Sequence, residues 1–88
     1  MSALLKPEEF TGRDVLEVGC GAGRFTLANL TQARTILGID PSGEAITTIT
    51  SQWPTAGSAA QVDFRQGSIV DFPLPSNAFD VVVFSRSL

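Results

Sequence analysis

Apolar residues recur along this chain in short blocks separated by glycine, proline and polar turns. "VLEV" at Val15–Val18 predicts a first strand, and a glycine turn follows it. From about Gly23 to Gln32 the pattern becomes helical, with Phe25 and Ala28, and Leu27 and Leu30, each at i, i+3 spacing. "TILGI" at Thr35–Ile39 predicts a second strand ending at Asp40. A second helix opens at Pro41 and Ser42, with Ser42 placed as N-cap and Glu44 in the first turn. Ile46, Ile49 and Trp53 share its apolar face, and Pro54 stops it. Thr47, Thr48 and Thr50 are poor helix formers, so a strand stays open for this segment. Gln61–Gln66 alternates, with Val62 and Phe64 on one side and Asp63 and Arg65 on the other, as a half-exposed edge strand does. After the loop "DFPLPSNA", the apolar run Phe79–Ser85 predicts a strand covered on both faces.

The order β-α-β-α-β-loop-β predicts an α/β fold, a Rossmann-like doubly wound parallel sheet. The first and fourth strands are the most apolar and are expected inside, and the third at an edge, which the order 3-2-1-4 accommodates. The first strand then borders the point where the strand order reverses, and open α/β sheets bind ligands there, beyond the carboxyl ends of the strands.

Composition narrows the function. At 88 residues the chain allows one domain at most. Its net charge of −3 and six unclustered basic residues argue against a broad nucleic-acid surface. The single cysteine, Cys20, excludes an intramolecular disulfide, and the absence of histidine excludes His-based metal sites and a Ser-His pair within the chain. The opening "MSALLKPEEF" is too charged for a signal peptide, and no stretch approaches the ~20 apolar residues of a membrane span. A cytoplasmic location with no membrane partner is the expectation.

The chemistry concentrates in "VLEVGCGAGRFT". Gly19, Gly21 and Gly23 are spaced G-x-G-x-G. The dinucleotide fingerprint needs glycines at i, i+2 and i+5, and Arg24 or Thr26 stands at the last position in the two possible registers. No P-loop occurs either. What remains is a turn open to close backbone approach, or simply a tight strand-to-helix connection. Glu17 lies among Val15, Leu16 and Val18, where an unpaired carboxylate is costly. It is expected to meet a ligand's positive amino group, or else solvent and nearby amides. Asp40, about 20 residues beyond Gly19, is placed to accept both hydroxyls of a ribose, or to cap the following helix through the amides of Ser42 or Gly43.

These residues resemble the class I S-adenosylmethionine-dependent methyltransferases, particularly the small-molecule type. "VLEVGCGAGRFT" is similar to the family's first motif, "GIDPSGEAI" to its second-strand acid, and "GSIVDFPLPSNAFDVVVFS" to the passage from third to fourth strand. The resemblance covers the chain from Thr11 onward. It implies that Glu17 binds the methionine ammonium, directly or through water, with Gly19 and Gly21 shaping the backbone around the methionyl and ribose parts; Gly23 and Cys20, a small packing residue whose backbone lines the turn, are counted with them as cofactor-binding. It places the ribose hydroxyls on Asp40 and the adenine beside Pro41. Where the family usually has Gly-Asp-Ala, this chain reads Gly67-Ser68-Ile69, so Ser68 and the Ile69 amide take the adenine edge. Ser85 lies near the methionine or methyl group, and Arg86 is expected in solvent.

The resemblance implies S-adenosyl-L-methionine as cofactor and direct methyl displacement, with no catalytic residue and no metal required of this segment. Family members continue with three further strands, so residues 1–88 are expected to be the N-terminal cofactor half of such an enzyme. A small-molecule acceptor is expected, as is self-association through the open edge of the fourth strand. A binding-only remnant of the fold is the alternative, and an NAD-dependent oxidoreductase fragment is disfavoured by the glycine spacing.

Overall fold

Four parallel strands in the order β3-β2-β1-β4 form the sheet of the computed structural model, which describes residues 7–53, 60–71 and 78–85. They are β1 (Asp14–Val18), β2 (Thr35–Asp40), β3 (Gln61–Gln66) and β4 (Val81–Phe84). Helices α1 (Arg24–Asn29) and α2 (Gly43–Gln52) make the crossovers on either side of β2. A 3-10 turn, Pro7–Phe10, precedes β1. The predicted fold class and strand order are both present.

The register explains which residues meet the helices. Val15 of β1 lies beside Ile36 of β2 and Val81 of β4, and Ile36 beside Val62 of β3. Alternation from these positions sends Val15, Ile36 and Val83 to one face. There they pack with Leu30, Ile49, Trp53 and Phe10 in the buried core. Phe10 meets Phe25 edge-on with ring centroids 5.9 Å apart, and Trp53 meets Phe64 at 6.0 Å. β3 alternates as expected, with Val62 and Phe64 half-buried.

The second helix is a helix, not a strand. The Ser42 hydroxyl accepts from the Ala45 amide at 3.1 Å, as an N-cap does. Its threonines are accommodated because Thr47 and Thr48 donate their hydroxyls to the carbonyls of Gly43 and Glu44, each at 3.0 Å. Ile49 and Trp53 are buried and Ile46 half-buried. Pro54 and Arg86 lie outside the described residues, as does most of the loop before β4.

Two expectations need correction. α1 ends at Asn29, short of Gln32: the Leu30 amide makes the last helical bond, to the Thr26 carbonyl at 2.9 Å, and the Leu30 backbone then leaves helical geometry at φ −110°, ψ 9°. Its buried stripe runs through Gly23, Thr26 and Leu30, whereas Ala28 is exposed and Phe25 and Leu27 are half-buried. The fourth strand is shorter than Phe79–Ser85 and is the sheet's edge among the described residues. Val82 is 49% and Phe84 65% exposed. Coverage on both faces needs a layer on each side, and α1 and α2 pack on the same one.

At the amino ends of the strands, Asp14 gathers Arg34 and Thr35. The Arg34 Nε donates to it at 2.9 Å and the Thr35 hydroxyl at 2.8 Å. These bonds, with the Arg34 bond first, hold the Asp14 carboxyl below the usual carboxylate range.

Candidate functional site

The carboxyl end of β1 runs into the glycine turn, where Gly19, Gly21 and Gly23 have φ of +77°, +56° and +99°. Side chains with a Cβ rarely adopt that conformation, so the three glycines permit the turn. Four of its amides are engaged within the protein. Those of Gly19 and Cys20 donate to the Ile39 carbonyl at 2.8 and 3.1 Å, that of Gly21 to Asp40 Oδ2 at 2.9 Å, and that of Gly23 to the Cys20 carbonyl at 3.1 Å. The turn therefore presents close backbone surface and carbonyl oxygen, while these four amides hold it to β2 and to itself.

Glu17 is fully buried on the helix-facing side of β1. One carboxylate oxygen accepts from the Thr26 hydroxyl of α1, the other from the Ser85 hydroxyl just past β4. Ser85 Oγ also lies 3.0 Å from the Gly19 carbonyl oxygen, and its amide donates to Val18 at 3.1 Å. Burial pushes the Glu17 carboxyl above its ordinary value; the Ser85 and Thr26 bonds act the other way, and the charge of Asp40 adds to the rise. Ser85 thus covers one oxygen of the buried acid.

Asp40 is buried at the end of β2. Its Oδ2 takes the Gly21 amide and its Oδ1 the Ser42 amide, both at 2.9 Å. The capping role expected of it is present, and the bond to Gly21 adds a tie to the turn.

Two adjoining clefts open beyond the strand ends, with Ser42 on the wall of both. The smaller, about 480 Å³, is lined by Gly19, Asp40, Pro41, Ser68 and Ile69 among others. The larger, about 900 Å³, has Cys20, Gly21, Arg24, Phe25 and Ser85 in its lining. Eight of the ten site residues read from the sequence thus line one cleft or the other. Glu17 and Gly23 sit behind them, Gly23 against Ile49 of α2. Cys20 is buried, as a packing residue is. Thr26 and Ser42 belong to the site beyond that set. Thr26 is signalled in the sequence as a polar residue four before Leu30 on the buried stripe of α1, and Ser42 by its N-cap position.

Residues 15–88 match a family profile described as a methyltransferase domain. A protein of Mycolicibacterium smegmatis, named a probable S-adenosylmethionine-dependent methyltransferase, is 36% identical over 82% of this chain and 26% of its own length. An rRNA N(6)-adenosine-methyltransferase of Caenorhabditis elegans is 31% identical over 86% of this chain and 37% of its own. The crystal structure of the YcgJ protein from Bacillus subtilis superposes with a TM-score of 0.69 at 29% identity, covering 84% of this chain and 32% of that one. The chain belongs to the methyltransferase-domain family. It spans about a quarter of the length of the first curated relatives it matches.

Proposed function

We propose, from that family membership as premise, that the chain holds S-adenosylmethionine across the carboxyl ends of β1, β2 and β3 and serves methyl transfer. The observation that carries this reading is the balance of donors and acceptors at the glycine turn. Four of its amides are consumed internally, while the Gly19 carbonyl, Glu17 behind Ser85, and Asp40 offer oxygen. A pyrophosphate needs amide donors from such a turn. A ligand bearing an ammonium and ribose hydroxyls needs acceptors. The arrangement fits the second.

In this reading Glu17, covered on one oxygen by Ser85, is the acceptor for the ammonium, and Asp40 holds the ribose hydroxyls. Val18, Ile39, Pro41 and Ile69 give the smaller cleft an apolar wall for the adenine, with Ser68 at its edge. When bound, S-adenosylmethionine supplies a methyl carbon on a positively charged sulfur, which a nucleophile of the acceptor attacks while the carbon–sulfur pair returns to sulfur. The chain's own residues bind and orient; the rate comes from positioning and needs no acid or base of this segment. A small-molecule acceptor suits the net charge of −3 and the scattered basic residues. A cytoplasmic location belongs to the same reading; among the described residues no helix is long and apolar enough to cross a membrane.

Calorimetric titration of the 88-residue chain with S-adenosylmethionine and with NAD tests the proposal. Saturable binding of the former with little response to the latter is expected. Preference for NAD, or no binding of S-adenosylmethionine, overturns it.

A further inference from the structure

The two oxygens of Glu17 have different surroundings. Thr26, whose hydroxyl meets Oε1, is fully buried on the inner face of α1 and lines neither cleft. Ser85, whose hydroxyl meets Oε2, is half-buried and lines the larger cleft. At Ser85 Oγ two acceptors converge, Glu17 Oε2 and the Gly19 carbonyl at 3.0 Å. One hydroxyl has one proton and serves one of them at a time. An ammonium has three donors and serves both.

We propose that Thr26 is a positioning residue that holds Glu17 by Oε1, and that Ser85 is the exchangeable cover of Oε2, displaced when a ligand's ammonium binds. The inference rests on the proposed S-adenosylmethionine site and divides its acid into a structural and a ligand-facing oxygen. Thr26 also opposes the upward push of burial on the Glu17 carboxyl, to which Asp40 at the end of β2 contributes as the neighbouring charge. Arg24, at the start of α1, is exposed. Removing Thr26's hydroxyl both loosens the carboxylate and favours its protonated form, which has no charge to offer an ammonium.

The test compares S-adenosylmethionine with 5′-deoxy-5′-methylthioadenosine, which keeps the nucleoside and lacks the amino acid part. Thr26→Val is expected to weaken the first by about tenfold or more, as loss of a bond to a charged group does, and the second by less than about twofold. Thr26→Ser is expected to restore the first. The pH at which S-adenosylmethionine affinity is half lost moves upward in Thr26→Val. Equal weakening of both ligands, or no change in either, overturns the proposal; failure of the wild-type chain to bind S-adenosylmethionine instead removes the reading beneath it. Ser85→Ala carries an independent check if Thr26→Val does not fold. Binding of S-adenosylmethionine within about threefold of wild type supports an exchangeable cover, and a tenfold selective loss overturns it.

Discussion

The amide of Gly21 donates to Asp40 Oδ2 across 2.9 Å, joining the tip of the glycine turn to the end of β2. The same carboxylate takes the Ser42 amide on its other oxygen, so one side chain ties together the turn, β2 and the start of α2. Asp40→Asn presents an NH2 group to one of those two amides, leaving a donor facing a donor. It is expected to destabilise the fold by about 1–3 kcal/mol in urea denaturation and to weaken S-adenosylmethionine binding as well. Unchanged stability would show that the two amide bonds contribute nothing net.

Glu17 gives stability a particular pH dependence. Its folded-state value lies above the ordinary 4.5, so the folded protein binds more protons than the unfolded one in the window from about 4.5 upward to that raised value. The contribution is fully present below the window and is lost as pH rises through it. Glu17→Gln removes the buried charge and is expected to raise the melting temperature at pH 8 and flatten the decline. The same variant is expected to lose affinity for S-adenosylmethionine, so a gain in stability coincides with a loss of binding.

Gly23 is held on two counts. Its φ is +99°, and a Cβ built there would fall 1.9 Å from Ile49 Cδ1. Gly23→Ala therefore adds backbone strain to a collision in the core, and a loss of about 2–4 kcal/mol is expected by chemical denaturation. A value under about 0.5 kcal/mol would mean that Ile49 and the turn shift at almost no cost.

β4 presents Val82 and Phe84 on the face away from α1 and α2, beside an edge with no strand beyond it among the described residues. Such an edge templates pairing with another chain. The 88-residue chain is expected to associate with rising concentration in sedimentation velocity, and Val82→Lys with Phe84→Lys to suppress it. A wild-type chain that stays monomeric across the concentration range contradicts this expectation.

The strand order and the place of the candidate site were legible in the sequence because they depend on local patterns. Apolar blocks of strand length, a glycine turn and an acid ending the second strand each announce themselves within a few residues. The edge character of β3 followed from its alternation in the same way. β4 misled because a continuous apolar run states what a strand is suited to contact, and says nothing of whether another layer is there. α1 misled because its buried stripe is set by what lies beneath it, Glu17 and Ile49, and not by its own apolar pairs.

The sequence by itself determined a doubly wound sheet with an acid and a glycine turn at its switch point, since hydrophobic periodicity and backbone permissiveness are written residue by residue. Only the tertiary structure decided what those groups do to one another. Thr26 and Ser85 close on Glu17 from positions 9 and 68 residues away, and three of the turn's amides are spent on Ile39 and Asp40. A buried carboxylate must find donors wherever the fold brings them, and that depends on distances in space that spacing along the chain does not encode.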